Sequence, residues 1–533
     1  MLELDPVVEE RKTTEPEQSN HPSFFQTIMS VWYLHLILVF SFIGRVISMP
    51  WYIDSRDGVF FVRALDRYAV AEMRPHFPGY PVYIWFGELF QLFFPDPVKA
   101  LHLLSIVASC LTIYPLALIA GEWRKRVGGD SQEVHLARFT TAGLWALVPL
   151  SLLGGSEIFS DPLALLLGLT ALWLGWKALA PNVGIWLVVA AFLGGLMIGV
   201  RLSYVVLLLP LVFVAWRKRK EHFGKTKLLN VALLSLVSVG LAVSLWLGWQ
   251  FLQEGTRFYE SGIKHLNGHY TSWGGSITTD KNLATRPLRF IETGVVYGIG
   301  GWWVDTPLER IPVSIMMAFL VGFGSVRLIR AKSKQNSLAK HPLILALLWF
   351  VPYFLWLALG NDVDLARYTL PLVAMICIVS GIGLPKRLII TVPVLVVALV
   401  SLAVVSVPLT IEHTTNSPIG EKLASYSRNN LDPAETTLFI SDETATLIFF
   451  AQQSAPKFQS VRLLNKTLEA QIAQYSTRKL YGTWLPGNAP DGWHLVTRLC
   501  RGKYMESRGV MEVGLYQYAP NLPVDKNKEV GCY

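Results

Sequence analysis

The stretch LIITVPVLVVALVSLAVVSV, residues 388–407, runs for twenty residues without a charge. A helix of about 20 apolar residues spans the hydrocarbon core of a bilayer. LVFSFIGRVISM (38–49), LALLLGLTALWLGW (163–176) and NVGIWLVVAAFLGGLMIGV (182–200) have the same character. The 533-residue chain is 52% hydrophobic and 16% charged, against roughly 25% charged in soluble domains. The chain therefore reads as a polytopic α-helical membrane protein. Trp32, Trp51, Trp85, Trp123, Trp216 and Trp249 fall near the ends of apolar runs, where an amphipathic ring suits the headgroup zone.

Eleven spanning segments are expected, at 29–49, 98–120, 139–156, 161–177, 183–201, 203–216, 228–250, 311–328, 341–360, 367–384 and 388–408. The net charge of +9 is concentrated in short connections. These hold Arg124, Lys125 and Arg126; Arg217 to Lys220 with Lys225 and Lys227; Arg327, Arg330, Lys332, Lys334 and Lys340; and Lys386 with Arg387. Basic loops of this kind mark the cytoplasmic side and argue against nucleic acid as a partner. Residues 1–28 then form a cytoplasmic tail with no cleavable leader. Residues 29–408 form the membrane domain, with long external loops at 50–97 and 251–310. The tail, 409–533, regains ordinary polarity. TTLFISDETATLIFFAQQ (436–453) reads as strand then helix, and WHLVTRLC (493–500) and VMEVGLYQY (510–518) as strands, giving a small extracytoplasmic α/β domain. Cys110 and Cys377 fall within spans, whereas Cys500 and Cys532 lie in the tail and permit one disulfide pairing.

The first external loop concentrates polar chemistry. It holds Asp54 and Asp57 in DSRD, and His76 within RPHFPGYP. Val59, Phe60, Val62, Ala64 and Leu65 suggest a helix along the membrane surface, with Asp57 near its start, where unpaired N–H groups favour an anion. The prolines and Gly79 make a stiff turn able to hold polar groups at a cavity mouth. A plainer reading has the loop carboxylates pairing only with its arginines.

The order of a short external Asp, an AL pair and then PHFPGYPVY (75–83) resembles the GT-C superfamily of membrane glycosyltransferases. The resemblance is to the bacterial branch related to protein mannosyltransferases and lipid A aminoarabinose transferases. It implies transfer of a glycosyl unit from a polyprenyl-phosphate-linked sugar donor to a hydroxyl of a glycan, lipid or protein acceptor. It also implies inversion at the anomeric carbon and a place in the bacterial inner membrane, with the C-terminal domain periplasmic. By position, Asp57 matches the essential first-loop acid, with Asp54 as competitor.

Glu157 and Asp161 in GGSEIFSDPLALL are similar to the superfamily's second acidic loop. One of them would hold the acceptor, or a divalent cation (Mg or Mn) if one is used; Ser160-Asp161-Pro162 is also a good helix start. Arg201 in GVRLSY has a guanidinium suited to a lipid phosphate. Arg367 in RYTLP resembles the family's phosphate-facing arginine and is preferred. A snorkelling anchor is the plainer reading of both. In IKHLNGHYTSWGGS, His265, His269 and Trp273 suggest a sugar site together with His76 and Tyr80, and Gly268 argues against a stable helix there. A lipid or glycolipid transporter (flippase) without transferase chemistry is the alternative from another class.

Overall fold

The computed structural model describes residues 31–222, 230–331, 342–385, 387–463, 468–501, 512–521 and 531–533. The expected N-terminal tail and Lys225, Lys227, Lys332, Lys334, Lys340 and Lys386 lie outside the described residues. The helices, in chain order, are α1 (Trp32–Ile47), α2 (Arg56–Asp66), α3 (Pro81–Gln91), α4 (Pro97–Leu111), α5 (Ile113–Arg126), α6 (Ser131–Leu147) and α7 (Pro149–Gly154). They continue with α8 (Asp161–Ala178), α9 (Ile185–Val200), α10 (Leu209–Lys218), α11 (Val231–Glu254), α12 (Arg257–Gly268), α13 (Arg286–Glu292), α14 (Ile311–Arg330), α15 (Pro342–Gly360), α16 (Leu370–Gly383) and α17 (Leu388–Thr415).

The polytopic helical architecture holds, but the count of eleven spans needs correction. Among the described residues, six helical segments are long and apolar enough to cross a membrane: Pro97–Arg126, Val231–Glu254, Leu308–Arg330, Pro342–Gly360, Ala366–Gly383 and Ile389–Asn430. Of the remaining apolar segments, Asp161–Ala178 is one unbroken helix of 18 residues that carries Asp161 and Lys177 at its ends, and others are short or broken. Val148 is extended and Pro149 opens a separate short helix, so 139–156 is two pieces. Arg201 is extended and ends α9, and a 3₁₀ turn at Leu202–Leu208 precedes α10. Hydropathy is blind to such breaks, because an apolar run stays apolar across a kink.

The segment Ala366–Gly383 lies at the centre, with 89% of its apolar window buried, whereas α11 and α15 have 28% buried. The outer helices expose rows of leucine, isoleucine and valine such as Leu236, Leu241, Val396 and Val400. In water such patches would be a liability, and in lipid they match the solvent. Helices α14 and α16 approach backbone to backbone. A Cβ on Gly324 would collide with the Val379 carbonyl, and one on Gly383 with the Leu320 carbonyl, so small residues permit the close contact.

The two ends of α16 differ in chemistry. Arg327 donates to the Ile382 carbonyl at one end, and the basic residues of α5 and α14 sit in their last turns. Arg367 lies at the other end, about 20 Å away at 1.5 Å per helical residue.

After α17 come α18 (Ile419–Asn430), β1 (Thr436–Ile440), α19 (Leu447–Ser454), β2 (Gln459–Arg462), α20 (Leu468–Gln474), β3 (Lys479–Trp484), β4 (Trp493–Cys500) and β5 (Glu512–Tyr518). The strand order is β2-β1-β3-β5-β4. β1 is parallel to β2 and β3, and β5 is antiparallel to β3 and β4. Alternation of side chains gives the sheet two covered faces. Leu438, Ile440, Val513 and Leu515 pack with Leu423 and Leu447, while Phe439, Leu480, Trp484 and Tyr516 form a second cluster. Cys500 and Cys532 are joined, and Cys110 and Cys377 are buried free thiols.

The disulfide ties the end of the chain to β4 across 32 residues. Closing a loop of that size in the unfolded chain stabilises the domain by about 3–4 kcal/mol. Replacing both cysteines by serine is therefore expected to lower the melting temperature of the sheet domain and speed its proteolysis. The change is read by limited trypsin digestion, while the membrane helices stay intact.

Candidate active site

The site is built where the two long loops, 50–97 and 251–310, meet the N-terminal end of α16. Ser55 caps α2, its hydroxyl accepting from the Gly58 N–H at 3.0 Å. This starts the helix one residue before Asp57 and places the carboxylate in its first turn. The helix forms as expected, but it does not lie on a surface with one wet face. Asp57 to Val62 and Ala64 are all buried, and Phe60 meets Phe449 of α19 edge to face at 4.8 Å. The soluble domain covers α2.

The RPHFPGYP turn holds two cis bonds, at Arg74-Pro75 and Phe77-Pro78. Gly79 has φ +93°, and a Cβ there would strike the Gln250 side chain of α11, whose Nε2 donates to the Pro78 carbonyl at 2.8 Å. The turn points His76 at the start of α2. Its Nε2 is 2.9 Å from the Tyr80 hydroxyl, and its Nδ1 is 3.9 Å from Asp57 Oδ1.

Asp57 receives its main partner from far along the chain. Arg367 Nη2 donates to Asp57 Oδ2 at 2.7 Å, with both residues more than nine-tenths buried. Burial pushes the Asp57 carboxyl up, but Arg367, His76 and Arg56 outweigh it and hold the group far below the usual carboxylate range. Arg201 lies next along the pocket. Its Nη1 is 3.0 Å from Asp161 Oδ2 and 3.1 Å from Ser160 Oγ, and Tyr204 donates to Asp161 Oδ1 at 3.1 Å. The two arginines share the ring of Tyr368, with guanidinium carbons 5.1 Å (Arg201) and 5.2 Å (Arg367) from its centroid.

Asp54 is in different surroundings. Its Oδ2 accepts from the Ile158 N–H at 3.0 Å, which pins the first loop to the second acidic loop, and burial pushes its carboxyl up. Glu157 and Asp161 face different partners. Glu157 faces His413 of α17, Oε1 to Nε2 3.4 Å, while Asp161 faces Arg201. Among the described residues no three His, Cys, Asp or Glu side chains converge as metal ligands. Both acidic groups oppose a cationic or imidazole partner.

The second long loop packs against this cluster through His265 and His76. Contrary to expectation, His265 and Gly268 lie within helix α12, which continues as a π-helical turn at His269–Trp273. Helical geometry tolerates Gly268 because tertiary contacts outweigh its weak propensity. His265 stacks on His76 with centroids 5.8 Å apart, and Trp273 sets its edge against His265 and His269. His269 Nε2 is 3.0 Å from the Gly360 carbonyl, so it anchors the loop to α15. Trp273 is half exposed.

Sequence reasoning missed two features. Arg286 donates to the carbonyls of Ala358 (2.9 Å), Gly275 (2.6 Å) and Asn361 (2.6 Å), and with Arg289 it pairs with Asp280, while Arg289 also pairs with Asp364. This network staples the second loop to the turn leading into Arg367. The other is Tyr368, whose only signal was its place beside Arg367. Beside Tyr80 an apolar cavity of about 200 Å³ is lined by Phe77, Tyr80, Pro81, Val200, Trp246 and Phe258.

Burial pushes His76 and His265 down to about 4; Asp57 favours protonation of both, while His265, Arg56 and Arg367 oppose it at His76 and His269 and Arg56 oppose it at His265. Both values are below the ordinary 6.5, so the unfolded chain binds protons that the folded site refuses. Stability from these groups is complete above about pH 6.5 and is lost as pH falls toward about 4. Melting curves in detergent at stepped pH should show that loss, and the His76→Gln, His265→Gln double variant should lose less over the same range.

Residues 69–223, less than a third of the chain, match the family described as the N-terminal domain of the protein O-mannosyl-transferase TMEM260. No curated protein matches the chain. Among solved structures, ArnT from Cupriavidus metallidurans bound to undecaprenyl phosphate is similar, with TM-score 0.55 at 12% identity, covering 92% of this chain and 98% of that one. The same protein in its apo state gives TM-score 0.55 at 11% identity, covering 92% and 99%. The oligosaccharyltransferase AglB from Archaeoglobus fulgidus, in complex with an inhibitory peptide and a dolichol-phosphate, gives 0.46 at 13%, covering 86% and 69%. At such identities the likeness to ArnT is one of fold.

Proposed function

We propose that this chain is a glycosyltransferase that moves a sugar from a polyprenyl phosphate to an acceptor hydroxyl at the outer face of a bacterial inner membrane. The observation that carries the reading is the convergence of Asp57, Arg367 and Arg201, from three distant segments, in one buried cluster. A family match to a protein O-mannosyl-transferase domain and an ArnT-like fold point the same way. The end of α16 carrying Arg367 would face outward, since the basic helix ends gather at the other side.

In this reading the donor phosphate binds at Arg367 with Arg201 behind it, and the first prenyl units enter the apolar cavity beside Tyr80. Trp273 offers a half-exposed ring to the sugar, near His265 and His76. Paired with Arg367, Asp57 is too weakly basic to take a proton. A phosphate at Arg367 competes with Asp57 for the same guanidinium, so donor binding raises the basicity of the carboxylate. The acceptor oxygen then attacks the anomeric carbon from the side opposite the phosphate and Asp57 takes its proton. The sugar–phosphate bond breaks with inversion, and polyprenyl phosphate leaves with its new charge met by the arginines. Asp54 keeps the loop in place, and Asp57 is the base.

Cells lacking the protein are expected to accumulate a polyprenyl-phosphate sugar and lose one envelope glycan, both read by mass spectrometry. Wild-type protein restores the glycan, and Asp57→Asn, produced at equal level, does not. With the donor so identified, the purified variant should be slower by about a thousandfold. Full activity of Asp57→Asn would end the base assignment. Lipid translocation by the purified protein without any transfer would favour the transporter.

A further inference from the structure

Arg201 and Arg367 are like charges buried in one pocket, and they repel one another. Each is drawn toward its own carboxylate, Asp161 or Asp57. What they have in common is the Tyr368 ring, within 5.1 Å and 5.2 Å of the two guanidinium carbons. The ring is itself fixed from its backbone: the Tyr368 carbonyl accepts from the Tyr353 hydroxyl at 2.9 Å, and its N–H donates to the Leu365 carbonyl at 3.2 Å. Phe159 lies 4.8 Å from the Arg367 guanidinium and Tyr204 lies 5.9 Å from that of Arg201, so each cation also has a ring of its own. Guanidinium is weakly hydrated and gains from an aromatic face, most of all where water is scarce.

We propose that Tyr368 is a positioning residue whose ring holds the Arg201 and Arg367 guanidiniums together so that both address one phosphate. The inference rests on the reading that the pocket takes a prenyl-linked phosphate, and it adds the element that makes two mutually repelling cations act as one receptor. Without the shared ring each arginine is held by its own carboxylate alone, and the phosphate meets one guanidinium at a time. The requirement is for the aromatic face, so the hydroxyl is dispensable.

The test uses full-length protein in detergent micelles and compares binding of undecaprenyl phosphate with that of undecaprenol, which lacks the phosphate. Wild type should prefer the phosphate. Tyr368→Phe should keep that preference within about twofold, and Tyr368→Leu should lose about tenfold of it with undecaprenol binding unchanged. Retained preference in Tyr368→Leu would overturn the proposal. An equal loss of both ligands in that variant would overturn it too, since that marks general packing. Equal losses of preference in Tyr368→Phe and Tyr368→Leu would assign the effect to the hydroxyl and overturn it as well. If the leucine variant misfolds, Tyr368→Met, of similar length and without an aromatic face, takes its place and is read by the same outcomes. Wild type with no preference for the phosphate would instead sink the reading of the pocket, and this proposal with it.

Discussion

A buried ion pair between Asp57 and Arg367, 310 residues apart in sequence, is the constraint on which this end of the helical bundle depends. Removing two charges from water costs several kcal/mol each, and the cost is recovered only when the geometry of the pair is good and the remaining polar atoms are satisfied. The surrounding architecture supplies that geometry. A serine cap fixes the start of α2, a proline-rich turn sets His76 beside it, and the arginine network of Asp280, Arg286, Arg289 and Asp364 fastens the turn that carries Arg367. Such a pair contributes little net stability by itself. Its consequence is that neither partner is at rest without the other, so a ligand that claims one necessarily changes its neighbour.

The pocket is organised as two neighbouring arginine–aspartate pairs of unequal character. In the Arg201–Asp161 pair, Ser160 and Tyr204 satisfy further polar atoms, which makes that pair a fixed part of the framework. The Arg367–Asp57 pair borders imidazoles held neutral by burial, with the second loop packed over them. The soluble domain takes part as well, since Phe449 of α19 packs on Phe60 in the helix that carries Asp57.

Much of the site was legible in the sequence because its residues announce themselves locally. Acidic groups beside an apolar span, a histidine in a proline-rich turn and an arginine before an apolar helix are all expensive near a membrane. Their partners were not legible. Nothing near Glu157 indicates that His413 faces it, and nothing near Asp161 indicates Arg201. The helix at His265–Gly268 was misjudged for a related reason: a glycine lowers local propensity, while packing of Gly262 against Phe77 and the stacking of His265 on His76 decide the outcome. The network around Arg289 had no local mark at all.

By itself the sequence determined a polytopic helical chain with a folded α/β tail, because partition into lipid is a property of contiguous stretches and needs no knowledge of distant residues. The tertiary structure decided which of those stretches are long enough to cross. Backbone breaks at Val148 and Arg201 change a helix's length without changing its hydropathy. It also decided that Asp57 meets Arg367, that His76 meets His265 and that Tyr368 is shared by two guanidiniums. Those encounters join residues from separate helices and loops, and only packing of the whole bundle brings them within the few ångströms over which charges and rings act.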